Sequence, residues 1–147
     1  MTELSGEGNR SIYALVVDDE EKLGRFVCML LKQAGYHAAT CQSVEDARRL
    51  LTSGQWHLVI TDIVIPRENG FDLMRWVKTH DPTLPVVAMT AHSTEAVMVQ
   101  MNQHGFAAVL HKPFTVDHFY GVIQQIMPLN TIPSAFAKYD QRYRQKV

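Results

Sequence analysis

Three runs, IYALVV (12–17), HLVI (57–60) and PVVAM (85–89), are apolar and rich in β-branched residues. They lack the strict alternation that marks a strand with one wet face. Strands buried on both sides belong to parallel sheets covered by helices, and the intervening sequence supplies the helices. Leu23, Phe26, Val27 and Leu30 recur at helical spacing, as do Val44, Ala47, Leu50 and Leu51. Phe71, Met74 and Val77 predict a third helix, Val97, Met98 and Met101 a fourth, and Phe119, Val122, Ile123 and Ile126 a fifth. HAATC (37–41) and FAAVLH (106–111) read as weaker strands. Ser43 with Asp46 resembles a capping box, Gly35 and Gly105 suit left-handed helix ends, and Pro128 closes the last helix. Five βα units with right-handed crossovers make a doubly wound α/β fold: a five-stranded parallel sheet with five helices over its two faces.

Size and composition agree with one such domain. The chain has 147 residues, 46% hydrophobic and 20% charged, enough for one core. No apolar run approaches the length of a membrane span, and the polar start MTELSGEGNR has no apolar leader segment. A cytoplasmic protein without membrane contact is expected. Cys28 and Cys41 show neither disulfide density nor metal-ligand spacing and read as reduced packing residues. The seven histidines are scattered, without the paired helical spacing of metal ligands. Charge is uneven. Residues 128–147 hold Lys138, Arg142, Arg144 and Lys146 against Asp140 alone, a net +3, so the rest of the chain, with a total of −1, stands at −4. Contact with nucleic acid is therefore expected of the tail or of nothing.

In a doubly wound sheet, ligands bind beyond the carboxyl ends of the strands. The first strand ends in Asp18 and Asp19, the third in Asp62, the fourth in Thr90, and the fifth in His111 and Lys112. Three carboxylates, a hydroxyl and a lysine thus meet on one rim. Unit charges ~4 Å apart repel by roughly 4 kcal/mol at an effective dielectric near 20, so such acids call for water or a cation. Glu20 and Glu21 read as helix-start acids, favoured at the positive end of the macrodipole.

The fragments VVDDE, TDIVIPRENG, MTA and HKPF, in this order and spacing, resemble the signature of the receiver domain of two-component response regulators. The resemblance covers residues 11–127, with 1–10 as a flexible N-terminus and 128–147 as a basic extension. It rests on Asp62 with Pro66 and Gly70 after it, Thr90 before Ala91, and Lys112 before Pro113. It implies the flavodoxin-like strand order 2-1-3-4-5. It also implies that Asp62 accepts a phosphoryl group from a phosphohistidine on a sensor histidine kinase or phosphotransfer protein. Asp18, Asp19, Asp62 and the backbone carbonyl of Val64 would hold Mg²⁺, an ion that favours a few carboxylates and retained waters. Lys112 would supply a point charge, and Thr90 a hydroxyl to a phosphoryl oxygen, biasing a two-state surface. The implied output is a downstream protein, or a second copy in a homodimer, meeting the face of the fourth helix, fifth strand and fifth helix. Such a domain catalyses only its own phosphorylation and dephosphorylation.

Family members usually carry Tyr or Phe three residues before the lysine, where this chain has Val109. Signal exit is therefore expected through Thr90 and the loop after it. Val64 and His92 occupy positions that tune hydrolysis in the family; apolar Val64 and bulky His92 predict a shielded, long-lived phosphoryl group. The alternative reading is a non-phosphorylated pseudo-receiver, against which the complete acid, threonine and lysine set argues. A flavodoxin-like electron carrier would want a phosphate loop where DDEEKLG stands, and an aspartyl phosphatase wants its two acids two residues apart, whereas Asp18 and Asp19 are adjacent. The tail segment PSAFAKYDQRYRQKV could form a short helix from Pro133, with Phe136, Tyr139 and Tyr143 on one stripe and Lys138, Arg142 and Lys146 on the next.

Overall fold

A computed structural model describes residues 11–92 and 94–127. The first ten residues and the basic tail, including Pro128 and the helix expected from Pro133, lie outside the described residues. Five strands alternate with five helices: β1 (Tyr13–Val17), α1 (Glu21–Gln33), β2 (His37–Cys41), α2 (Val44–Thr52), β3 (Leu58–Asp62), α3 (Gly70–His80), β4 (Val86–Thr90), α4 (Glu95–His104), β5 (Ala108–His111) and α5 (Val116–Ile126). The strands form one parallel sheet in the order β2-β1-β3-β4-β5. The expected fold class and strand order are both observed.

The alternation of side chains along each strand sorts the core into two faces. Ala14, Val16, Leu58, Ile60, Val87, Met89 and Leu110 pack with α1 and α5. Leu15, Val17, Val59 and Val86 pack with α2 and α3 on the other side. Ile63, Ala88 and Met101 begin a smaller cluster under α4, joined by Phe71, Val97, Met98, Phe106 and Val109. Val109, lacking a ring, is thus an ordinary member of this packing.

Local chemistry sets the helix limits. Ser43 caps α2 by accepting the Asp46 N–H, a one-way cap instead of the reciprocal box expected. The reciprocal box occurs on α3, where Asn69 accepts from the Asp72 N–H and Asp72 accepts from the Asn69 N–H. Gly35 and Gly105 have φ of 89° and 81°, the left-handed values expected of them. The stripe of α1 departs from expectation: Val27, Leu30 and Leu31 are buried, but Phe26 stands 39% exposed. Its place in the core is taken by Cys28. Cys28 and Cys41 are both buried free thiols, whose ionisation burial pushes up, to about 11 for Cys41. No described helix is long and apolar enough to cross a membrane.

Candidate functional site at the carboxyl rim

β3 and β4 end on Asp62 and Thr90, the strand ends expected from the sequence, so both side chains start the rim from fixed strand backbone. Both are buried, as is Asp18, which is fully enclosed just beyond β1. Backbone pairing holds these ends in place. The Asp18 N–H donates to the Cys41 carbonyl at 3.0 Å, and the Ile63 and Lys112 N–H groups donate to the carbonyls of Met89 at 3.0 Å and Thr90 at 2.8 Å. Neighbouring strands thus carry the acids, the hydroxyl and the lysine to one rim.

The carboxylates share one cation. Lys112 Nζ donates to Asp62 Oδ2 at 2.8 Å and to Asp18 Oδ2 at 3.2 Å, with Glu20 Oε1 at 4.0 Å. The remaining oxygens are met by backbone: the Val64 N–H donates to Asp62 Oδ1 at 3.2 Å, and the Glu20 N–H to Asp18 Oδ1 at 2.9 Å. Burial raises the Asp18 pKa, and the nearby Asp62 charge adds to the rise; the Glu20 N–H and Lys112 oppose it without cancelling it. For Lys112 burial acts downward, but the bonds to Asp62 and Asp18 outweigh it and the net shift is upward. The ammonium is therefore secured as a cation.

Asp18, Asp19 and Asp62 each bring one oxygen within 4.8 Å of the others. Asp19 is exposed while the other two are enclosed, so the cluster opens to solvent on one side. A hard divalent cation that takes oxygen ligands and keeps waters suits this donor set. Val64 is placed here by its N–H, and the residue is 58% exposed beside the nucleophile candidate. Thr90 is engaged with backbone: its hydroxyl donates to the His92 carbonyl and accepts the His92 N–H, both at 2.9 Å.

Two supports of the site have weaker sequence signals. Gly70 opens α3 where a Cβ would stand 2.6 Å from the Asp62 carbonyl oxygen and 3.0 Å from Ile63 Cα. Only hydrogen fits there. Farther along the loop, Arg48 of α2 donates from both terminal nitrogens to Glu68, at 2.9 and 2.6 Å, which ties the segment after Asp62 to α2. The Asn-x-x-Asp pattern at Asn69 was available as a capping signal, whereas nothing in the sequence pairs Arg48 with a residue twenty positions away.

Fold and rim together define a doubly wound α/β protein with an acidic, lysine-bridged site at its carboxyl edge. The chain belongs to the response regulator receiver domain family, whose model matches residues 14–124. It is similar to the DNA-binding transcriptional regulator NtrC of Azospirillum brasilense, with 31% identity over 121 residues, 82% of this chain and 25% of that protein. The NtrC of Rhizobium meliloti (strain 1021) is 33% identical over 109 residues, 74% of this chain and 22% of that protein. The chain thus spans about a quarter of the length of these two relatives. Among solved structures, a response regulator receiver domain protein from Clostridium thermocellum matches with a TM-score of 0.72 at 27% identity, covering 78% of this chain and 92% of that one. The chemotaxis protein CheY4 of Vibrio cholerae, at 21% identity and a TM-score of 0.75, covers 80% of this chain and 99% of its own and shares the fold. The chain is therefore a receiver domain of the two-component response regulators, a signalling domain and not a conventional enzyme.

Proposed function

We propose that Asp62 is the phosphoacceptor of this receiver and that a sensor histidine kinase or phosphotransfer protein supplies the phosphoryl group. The observation that carries the reading is the Lys112 ammonium shared by Asp62 and Asp18 at 2.8 and 3.2 Å, beside a third carboxylate in reach. An oxygen of the Asp62 carboxylate attacks phosphorus as the P–N bond to the donor imidazole breaks, and the electron pair leaves on the imidazole nitrogen. Asp18, Asp19, Asp62 and the Val64 carbonyl would hold Mg²⁺, which neutralises phosphoryl and carboxylate charge when bound. Lys112 holds the carboxylate in place and offers a point charge to the incoming oxygens. Thr90 exchanges its bond to the His92 carbonyl for one to a phosphoryl oxygen, which draws the loop after β4 inward.

The exposed Val64 side chain cannot orient an attacking water, so the phosphoryl group should persist, and Val64→Asn should shorten its lifetime. Output runs through the face of α4, β5 and α5 to a downstream protein or a second copy, in a cytoplasmic setting; nucleic-acid contact, if any, belongs to the tail. The complete site disfavours a silent pseudo-receiver. Intact-mass measurement with acetyl phosphate and Mg²⁺ should show one added phosphoryl group, absent in Asp62→Asn and after chelation. Labelling that survives both controls would refute the assignment.

A further inference from the structure

Between the end of β3 and the start of α3 the chain makes a closed arc. Its neck is the bond from the Gly70 N–H to the Ile63 carbonyl at 3.0 Å, which leaves residues 64–69 to go out and return. The near half is fixed twice. The Val64 N–H donates to Asp62 Oδ1 at 3.2 Å, and Ile65 is buried in the cluster that holds Val44, Ala47 and Leu73. The far half is more open. Pro66 and Arg67 are exposed, and Arg67 has a φ of 74°, inside the left-handed region that residues other than glycine seldom adopt. A backbone angle of that kind persists where the surroundings over-determine it.

Arg48 supplies the restraint. Its two terminal nitrogens reach Glu68 together, Nη1 to Oε2 at 2.9 Å and Nη2 to Oε1 at 2.6 Å, a parallel two-bond contact that fixes direction as well as distance. A lysine would keep the charge and lose the direction. The exit of the arc is fixed in turn by the capping box of Asn69 and Asp72. With neck and exit both held, a turn released at Arg67 cannot relax alone. The change in φ has to be taken up by residues 64–66, whose first member touches Asp62.

We propose that the Arg48–Glu68 pair is a positioning device for the cation site: it holds the arc in the shape that keeps the Val64 backbone against Asp62, and so sets the affinity for Mg²⁺. The inference rests on the phosphoacceptor reading, in which the Val64 carbonyl is a ligand. Its size follows from populations. A partly solvated pair of this kind biases a two-state arc by at most about fivefold, and the affinity of the site falls in proportion to the competent fraction that is lost.

In the full chain, Arg48→Gln combined with Glu68→Gln removes the pair and leaves the net charge unchanged, so a change in Mg²⁺ affinity is not a long-range field effect. Titration with Mg²⁺ alone, followed by the backbone amide signals of residues 62–69 in NMR spectra, should give a dissociation constant about threefold above that of the parent. Acetyl phosphate labelling of the double variant should be slow at low Mg²⁺ and reach the parent rate at saturating Mg²⁺. Circular dichroism serves as the folding control. Equal Mg²⁺ constants, in a parent that takes the phosphoryl group, would overturn this inference alone. So would labelling that stays slow at saturating Mg²⁺, since the defect would then lie outside the cation site. A parent that takes no phosphoryl group would refute the phosphoacceptor reading and this inference with it.

Discussion

The same substitution at two glycines should move stability in opposite directions. At Gly121, inside α5, an added Cβ meets nothing within 4 Å. Alanine there should stabilise by about 0.5–1 kcal/mol, the backbone entropy that glycine loses on folding. At Gly70 the same gain is opposed by contact. A Cβ would lie 2.6 Å from the Asp62 carbonyl oxygen and 3.0 Å from both Ile63 Cα and Ile63 Cδ1, where ordinary contact is about 3.5–4.0 Å. Two of those three atoms are backbone and cannot rotate aside, and Gly70 is not among the positive-φ glycines, so the effect is collision and not dihedral strain. Overpacking costs roughly 1–3 kcal/mol, and two contacts fixed in backbone put this site in the upper half, about 2–3 kcal/mol, which leaves Gly70→Ala destabilised by about 1–2.5 kcal/mol after the entropic gain. At this chain length that is a fall in Tm of roughly 2–10 °C. Urea and thermal melts followed by circular dichroism measure both variants. Acetyl phosphate labelling should also slow in Gly70→Ala, because α3 would press on the backbone of Asp62, and be unchanged in Gly121→Ala. A Gly70→Ala variant as stable as the parent, or a loss of similar size at Gly121, would refute the close-approach argument.

Asn69→Ala removes the side-chain half of the α3 capping box and should destabilise by about 1 kcal/mol, read from the urea midpoint. Arg48→Ala frees Glu68 and should speed amide exchange over residues 64–69, while global stability changes by less than about 1 kcal/mol because the pair is partly solvated. Burial pushes the Tyr36 and Tyr120 hydroxyls up to about 12, against about 10 in an unfolded chain. The fold therefore favours their neutral forms: their contribution is intact below about pH 10 and is lost as pH rises through about 12. Phenolate absorbance should show two of the five tyrosines ionising late, together with alkaline unfolding. Five tyrosines titrating together near 10 in a folded chain would contradict this.

Much of this fold was legible because its central strands are enclosed on both faces. β1, β3 and β4 contain unbroken buried runs, and such runs show in sequence without a structure. β2 and β5 are edge strands with half-buried residues, so their signal was weaker. The ends of β3 and β4 fall on Asp62 and Thr90 as read from the sequence, although both are polar residues buried at the site and break the apolar pattern. Of the site, the acids and Lys112 were readable from position alone, since strand order brings their ends together. Thr90 held by the His92 backbone was not, because a hydroxyl has several partners within two residues. Phe26 was misplaced because helical spacing leaves the width of the buried stripe open; on α1 the stripe is centred on Val27 and Leu31.

Lys112 also has a consequence for the order in which the molecule is made. β5 is an edge strand whose neighbour in the sheet is β4, yet the lysine that follows it reaches past β4 to the acids at the ends of β3 and β1. On a ribosome Asp18, Asp19 and Asp62 emerge long before Lys112, so if β1 and β3 pair before β5 docks, their carboxylates meet with no ammonium between them. A sheet assembled in that order would carry an electrostatic repulsion that the docking of β5 removes. In the folded domain the same ammonium ties the end of an edge strand to the acids beyond β3 and β1, so that the integrity of the outer edge and the charge balance of the rim rise and fall together.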